Sequence, residues 1–245
     1  MDLRERSGAA PRQRHPWERS RAAFFLEVIE RRGAFSGRLL DAGAGDGWLA
    51  GQVARRWGAE GTCWDAFYTE EQLRELSAAE PSLSFVRDLP DGPFELVLLL
   101  DVLEHVPNDV AFLRSLVERL APGGQVLISV PAWPALFSGH DVFLRHYRRY
   151  RREEALNVIE RAGLRLLESG GLFHGLLPVR ALQVGLEKLR GAPDPDAQAG
   201  LATGPKGWLN EAITRGLVLE QKLTHAAAAA GIFLPGLSFY ALTSR

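Results

Sequence analysis

The chain has 245 residues, and its 29 basic and 30 acidic side chains leave a formal net charge of −1. This length suits one sizeable domain, and the near-neutral charge argues against nucleic-acid binding, which needs a basic surface to neutralise phosphates. The single cysteine excludes an internal disulfide and a zinc site built from thiolates. The N-terminus is charged and has no apolar core like that of a secretory signal, and no apolar run reaches the roughly 18 residues of a spanning helix. We therefore expect a cytoplasmic protein.

The first half of the chain alternates between short apolar runs and amphipathic segments. Residues 1–15 are polar and aperiodic, which predicts a disordered tail before a single domain over 16–245. Predicted helices cover 16–32, 48–58, 70–80, 109–120 and 153–163, and predicted strands cover 37–43, 61–66, 82–88, 94–102, 125–130 and 164–170. This alternation favours a doubly wound α/β sheet.

After the sixth strand the alternation stops. Residues 172–233 predict a helical insertion with helices over 176–190 and 208–231, joined by a linker over 191–205, and 237–245 predict a final strand. The insertion carries many leucines. It could be a cap on the domain, the interface of a homodimer, a lid over a hydrophobic acceptor, or a surface that contacts a membrane peripherally.

The turn after the first strand reads DAGAGDG, residues 41–47. Glycines let the backbone take positive φ angles and approach a ligand closely, and the helix start that follows offers free N–H groups. In an open α/β sheet, ligands bind at the carboxyl ends of the strands near the switch in strand order. The turn therefore indicates a nucleotide-like cofactor.

The same turn departs from the dinucleotide fingerprint G-x-G-x-x-G. Gly43 and Gly45 match, but Trp48 stands where the third glycine is needed for close helix–strand packing. This departure counts against a pyrophosphate ligand, and Trp48 itself suits either the core or a contact with the cofactor. Asp65, about twenty residues beyond Gly45, can accept hydrogen bonds from ribose hydroxyls.

Four segments follow one another along the chain: LLDAGAGDG, the strand end at Asp65, RDLPDGPFELVLLLDVLEHV and LAPGGQVLISVP. Together and in this order, they resemble the class I S-adenosylmethionine-dependent methyltransferases. The resemblance covers about residues 20–170. It implies a seven-stranded Rossmann-like sheet whose last strand is antiparallel. The predicted helical insertion would lie between strands six and seven, where this family usually has a short hairpin. It also implies S-adenosylmethionine as cofactor and S-adenosylhomocysteine as product.

By position, the resemblance also implies cofactor-binding residues at the ends of strands one to four. For the methionine and ribose part they are Asp41, Gly43, Gly45, Leu100 and Asp101; for the ribose hydroxyls and the adenine they are Asp65, Ala66, Phe67 and Asp88. Asp101 could instead cap a turn.

In this family, the loops after strands four and five frame the methyl acceptor. The first of these loops, DVLEHVPND, contains His105, which is either a catalytic residue or a histidine that packs near a helix start. The second loop resembles a bacterial subfamily of the type 11 methyltransferases. The residues that carry this resemblance are Pro131, Ala132, Leu136, Ser138, His140, Asp141, His146, Arg148, Arg149 and Tyr150.

Residues 140–150, HDVFLRHYRRY, allow four interpretations. A nucleic-acid patch is opposed by the charge of the chain. A metal site would use His140, Asp141 and His146. A structural cluster would have Arg148 or Arg149 bridging carboxylates and Tyr150 closing onto the helix start at Glu153.

The fourth interpretation, an acceptor site, is the one we favour. It assigns catalytic roles to His140, His146, Asp141 and His105, with a histidine as base, and acceptor contacts to Trp133, Arg148, Arg149 and Tyr150. It assigns no metal ligand. The predicted function is methyl transfer to a small-molecule or lipid-like acceptor at oxygen. The alternatives are a non-catalytic cofactor-binding regulator and a nicotinamide-dependent reductase, which is opposed by Trp48 and by the absence of a Tyr-x-x-x-Lys pair.

Overall fold

A computed structural model describes residues 14–33, 37–190 and 208–245. Most of the predicted tail, residues 1–13, and the predicted linker lie outside the described residues. Arg14 and His15, which we assigned to the tail, are described. His15 caps the first helix, since its ring Nδ1 accepts a hydrogen bond from the backbone N–H of Trp17 at 3.4 Å.

The elements largely follow the predicted order. The helices are α1 (Pro16–Arg31), α2 (Trp48–Trp57), α3 (Glu70–Ala79), α4 (Asp109–Val117), α5 (Gly139–Phe143), α6 (Arg152–Arg161), α7 (Leu176–Arg190) and α8 (Trp208–Ala229). The strands are β1 (Arg38–Ala42), β2 (Glu60–Trp64), β3 (Leu83–Val86), β4 (Phe94–Leu100), β5 (Leu120–Pro131), β6 (Arg165–Leu172) and β7 (Ser238–Ser244). The short helix α5 and the 3₁₀ turn Leu103–His105 were not predicted.

The strands form one seven-stranded sheet in the order β3-β2-β1-β4-β5-β7-β6. All neighbouring pairs are parallel except those of β7, which runs antiparallel to both β5 and β6. This topology confirms the predicted fold class. The strand order reverses between β1 and β4, so a crevice for a ligand is expected at the carboxyl ends of these two strands.

The boundary between α4 and β5 was predicted wrongly. We expected the helix to run to 120 and the Pro-Gly-Gly triplet at 122–124 to lie before the strand. The helix ends at Val117, and β5 begins at Leu120, which pairs with Phe94 across a register irregularity. The triplet therefore forms an irregular first part of a long strand, where Gly123 takes a φ of 75°.

Two apolar layers cover the sheet. One layer includes buried residues of α4 and α6, and the other includes buried residues of α1, α2 and α8. In β7, Phe239 and Ala241 face the first layer while Tyr240 and Leu242 face the second, as the period of two along this strand predicted.

The described residues of the predicted insertion between β6 and β7 include the helices α7 and α8. In α8, the buried ring of His225 stacks on Phe24 of α1 with 4.2 Å between ring centroids. In α7, by contrast, Val179, Leu182 and Leu189 are 52%, 65% and 84% exposed. Within the described part of the chain, no helix combines the length and the apolar character needed to cross a membrane.

Candidate active site

The loop between β1 and α2 is built for close approach of the backbone to a ligand. Gly43, Gly45 and Gly47 have φ angles of 72°, 59° and 67°, which favour glycine. A Cβ on Gly43 would come within 2.5 Å of the Val102 side chain. The loop is anchored to the end of β2, because the Gly43 N–H donates a hydrogen bond to the Trp64 carbonyl at 2.8 Å.

Carboxyl groups surround this loop. Asp41 is buried at the end of β1, and its burial raises its pKa to about 7, with the charges of Asp46 and Asp65 adding to the shift. Asp65 follows β2 and accepts a hydrogen bond from the Phe67 N–H at 2.9 Å. The Phe67 ring is 88% exposed. An exposed aromatic ring beside a carboxylate suits the adenosine part of a nucleoside ligand.

The remaining predicted cofactor residues lie along the same edge of the sheet. Ala66 and Asp88 are exposed after β2 and β3, and Leu100 is buried at the end of β4. Asp101 has a φ of 56° and accepts a hydrogen bond from the Ser129 hydroxyl at 2.9 Å. The structure therefore brings the residues that we predicted for the cofactor to the carboxyl ends of β1 to β4.

Two arginines that we did not predict also lie at this edge. Arg14 precedes His15, the cap of α1, and Arg21 lies within α1. Arg21 forms an ion pair with Asp101. Burial on its own would raise the pKa of Asp101, but Arg21 and the Ser129 hydrogen bond hold it below its usual range. Arg14 pairs with Asp46 and lies 4.7 Å from the centroid of the partly exposed Trp48 ring. The only signal in the sequence was the spacing of seven between the two arginines, which is common on helical faces.

Asp141 is the centre of the loop after β5. It is fully buried, and its Oδ1 lies 2.9 Å from Nδ1 of His146 and 2.8 Å from Nε of Arg149. Its other oxygen accepts a hydrogen bond from the backbone N–H of Ser138 at 3.0 Å. Burial on its own would raise the pKa of Asp141, but the contacts with His146 and Arg149 lower it to about 2.

Arg148 and Tyr150 both contact Asp109 at the start of α4. The Nη1 of Arg148 donates to Asp109 Oδ2 at 2.9 Å, and the Tyr150 hydroxyl donates to the same oxygen at 3.0 Å. The expected contact of Tyr150 with the helix start at Glu153 was therefore wrong. Trp133 Nε1 donates to the Gly236 carbonyl at 2.8 Å, and this ring is 41% exposed.

These contacts match the structural interpretation of the arginines, in which each bridges to a carboxylate. The assignment of Trp133, Arg148, Arg149 and Tyr150 to acceptor binding stays a prediction. Of the four, Trp133 presents the largest exposed apolar ring at the edge of the sheet.

The histidines assigned to catalysis lie on two loops that meet. The Tyr147 N–H donates to the Glu104 carbonyl at 2.7 Å, which joins the loop after β5 to the 3₁₀ turn after β4. The rings of His105 and His146 lie edge to face with centroids 4.6 Å apart. His140 is partly buried, and its pKa is lowered by burial and by Arg180 of α7.

Glu104, next to His105, was missed by the sequence reasoning. Its side chain is 1% exposed, and neither carboxylate oxygen has a hydrogen-bond partner among the described residues. Burial raises the pKa of Glu104 well above its usual range. The acidic residue directly before the histidine in LEH was the available signal.

The strand order, the antiparallel β7 and the glycine loop define a class I S-adenosylmethionine-dependent methyltransferase fold. Residues 12–169 match the methyltransferase domain family, and the chain belongs to this family.

Three comparisons illustrate the relationship. A protein of Mycolicibacterium smegmatis, described as a probable S-adenosylmethionine-dependent methyltransferase, is 31% identical over 61% of this chain and 61% of its own length. The chain thus spans about three fifths of that curated relative. A ubiquinone biosynthesis O-methyltransferase of Xanthomonas euvesicatoria is 29% identical over 61% of this chain and 72% of its own. The crystal structure of an S-adenosylmethionine-dependent methyltransferase from Mesorhizobium loti aligns with a TM-score of 0.57 at 17% identity, covering 92% of this chain and 100% of that one, and so supports the fold.

Proposed function

We propose that this protein transfers the methyl group of S-adenosylmethionine to an oxygen atom of a small-molecule or lipid-like acceptor. The observation that carries the proposal is the placement of two kinds of group at one edge of the sheet. The glycine loop and the carboxylates at the ends of β1, β2 and β4 suit the cofactor, and the histidines of two meeting loops suit the acceptor.

The residues present fit this cofactor by charge. S-adenosylmethionine carries a sulfonium and an amino group, which favour carboxylates, and a carboxylate, which favours a cation. Asp41 and Asp101 would serve the positive groups, and Arg21 would serve the carboxylate. Asp65 would accept hydrogen bonds from the ribose hydroxyls, with Phe67 against the adenine and Asp88 at its amino group.

A histidine base completes the proposed reaction. S-adenosylmethionine would supply an electrophilic methyl group to the acceptor oxygen, with the sulfur as leaving group and S-adenosylhomocysteine as product. The acceptor proton passes to His140 or His146. In His146, Nδ1 is engaged with Asp141, so Nε2 is the nitrogen that could accept the proton. The similarity to a ubiquinone biosynthesis O-methyltransferase supports oxygen as the methylated atom.

The exposed leucines of α7 support a lipid-like acceptor. Arg180 on the same helix donates to the Ser138 hydroxyl, so α7 lies beside the proposed acceptor loop. The helix could cover the acceptor, contact a membrane surface or form a homodimer interface. Flotation with liposomes and sedimentation of the free protein separate these roles, because only a membrane contact produces flotation and only a dimer shifts the sedimentation coefficient.

Calorimetry with S-adenosylmethionine and with NADH tests the cofactor. We expect binding of S-adenosylmethionine alone, weakened about tenfold or more in Asp65→Ala because two ribose hydroxyls lose their acceptor. Asp91→Ala, at an exposed position on the loop before β4, is the control and should bind normally. Preferred binding of NADH would contradict the proposal.

Formation of S-adenosylhomocysteine with a panel of phenols, alcohols and amines tests the reaction itself. Turnover with hydroxyl acceptors, lost in His140→Ala or His146→Ala while S-adenosylmethionine still binds, is the expected result. Turnover with amines alone would refute oxygen as the target. Tight cofactor binding without any turnover would favour a non-catalytic regulator.

A further inference from the structure

The most unusual buried group in the described residues is the Glu104 carboxylate. It lies in the 3₁₀ turn after β4, is 1% exposed, and has no hydrogen bond at either oxygen within the described structure. A buried carboxylate without partners is unfavourable, so such a group is expected to meet either a counter-charge or a ligand.

Two histidines near Glu104 favour a metal ion as this ligand. One carboxylate oxygen of Glu104 and one ring nitrogen each of His105 and His146 all lie within 4.8 Å of one another. Around a cation held at about 2.1 Å, ligand atoms are separated by roughly 3–4 Å. Bringing the three atoms to bonding distance of one ion therefore requires each side chain to move by up to about 1 Å.

The contact between Asp141 and His146 also favours a metal ion. Asp141, which is fully buried, holds Nδ1 of His146 at 2.9 Å. That contact fixes the ring and leaves Nε2 as the nitrogen that can bind a ligand. Metal-bound histidines commonly have this arrangement, with a carboxylate on the second nitrogen.

We propose that Glu104, His105 and His146 bind a divalent transition-metal ion, with Asp141 as the residue that positions His146. Two imidazoles and one carboxylate suit zinc, iron(II), cobalt(II) or manganese(II), and they leave coordination positions open. The sequence reasoning considered a metal on His140, Asp141 and His146. In the structure, Asp141 instead contacts Arg149 and His146. The residues that group with His146 are Glu104 and His105, from the turn after β4.

The site would determine how an acceptor is bound, and this part rests on the proposed function. The ion would lie at the 3₁₀ turn after β4, three residues beyond Asp101, which we propose for the methionine part of the cofactor. A cation there binds an acceptor oxygen and lowers its pKa, so the acceptor would need an oxygen that can coordinate a metal. His146 would then be a ligand, and His140 would be the histidine left as a base.

Metal titrations of the untagged, chelator-treated protein test the site directly. We expect one Co²⁺ per chain with visible absorption bands, displaced by one Zn²⁺. Glu104→Gln and His146→Gln should each weaken binding about 100-fold or more, and Asp141→Asn should weaken it about 10- to 100-fold. Glu160→Gln, at an exposed position on α6, is the matched control and should bind as the wild type does.

Circular dichroism melts of each variant show whether it is folded, and His105→Gln replaces any variant that is not. Failure of the wild type to bind Co²⁺, Zn²⁺ or Mn²⁺ at one ion per chain would overturn the proposal, and so would equal binding by folded Glu104→Gln and His146→Gln. Calorimetry with S-adenosylmethionine runs in parallel. Cofactor binding without metal binding would reject the metal site alone, whereas metal binding without cofactor binding would reject the proposed function alone.

Discussion

Arg149 and Asp141 form a buried ion pair that holds the loop after β5, with 2.8 Å between Nε and Oδ1 and side chains 6% and 0% exposed. Arg149 also donates to the Ala132 carbonyl at 3.2 Å. One side chain thus ties the start of the loop to its middle. The position of His146, which shares Asp141, depends on this pair.

Replacing Arg149 with Ala should destabilise the protein by about 3–5 kcal/mol, because Asp141 would keep a buried charge without its main partner. Urea denaturation at pH 7 measures the free energy of unfolding. Arg151→Ala is the control, since Arg151 is 64% exposed and lies 3.6 Å from Glu154. Its loss should change stability by less than about 1 kcal/mol. Equal effects of the two variants would mean that burial does not strengthen the Arg149 pair.

A methyl group on Gly43 should be more harmful than one on Gly58. Both glycines have positive φ, at 72° and 68°, so both alanine variants incur the same backbone strain. Only at Gly43 does the new Cβ meet a neighbour, the Val102 side chain at 2.5 Å, whereas nothing lies within 4 Å at Gly58. We expect Gly43→Ala to unfold at a lower temperature, with an excess cost of about 1–3 kcal/mol, and to bind S-adenosylmethionine more weakly. Matching melting temperatures would show that the loop can move away from Val102.

The stability of the protein should fall as the pH rises through the raised pKa of Asp41. In the folded chain this pKa is about 7 because the carboxyl is buried, against an ordinary value of 3.8. Between these values the folded state keeps a proton that the unfolded chain has released, so stability present below pH 4 is lost as the pH approaches 7. Asn cannot titrate. The stability of Asp41→Asn relative to the wild type should therefore increase by ~4 kcal/mol from pH 4 to pH 8. A constant difference across this range would contradict the buried, neutral carboxyl.

His225 should have the opposite dependence. Burial, together with the charge of Arg31, lowers its pKa to about 4 from an ordinary 6.5, so the folded state disfavours the proton. The stability that the neutral ring contributes is present above pH 6.5 and is lost as the pH falls towards 4. Relative to His225→Leu, the free energy of unfolding of the wild type should fall by ~3 kcal/mol between pH 7 and pH 4. Thermal melts at each pH measure this change. Glu27 lies 3.2 Å from the ring. Parallel pH curves would indicate that Glu27 stabilises the charged ring instead.

The fold was predictable because its signals are local. The apolar run of β4 and the alternating faces of β7 are each readable within a few residues. The start of β5 was not, because a Pro-Gly-Gly triplet reads as a helix stop, and only pairing with β4 extends the strand across it.

The candidate site was predictable where chain position decides the neighbours. The loop after β1 and the ends of β2 to β4 meet at one edge of any sheet with this order, so Asp41, Gly43 and Asp65 could be placed from the sequence and the resemblance. Arg14 and Arg21 could not, because their contacts with Asp46 and Asp101 depend on how α1 lies across the edge.

The sequence by itself determined the order of elements and the glycine loop, since these depend on periodicity and turn chemistry. The resemblance added the cofactor and the prediction that two loops frame the acceptor. The tertiary structure alone decided the partners of each charged side chain. It directs Arg148 and Tyr150 to Asp109, joins Asp141 to His146 and Arg149, and places Glu104 beside His105 and His146. The residues joined by these contacts are up to 42 positions apart, as Glu104 and His146 are. Their pairing depends on how whole loops pack, which no local sequence pattern specifies.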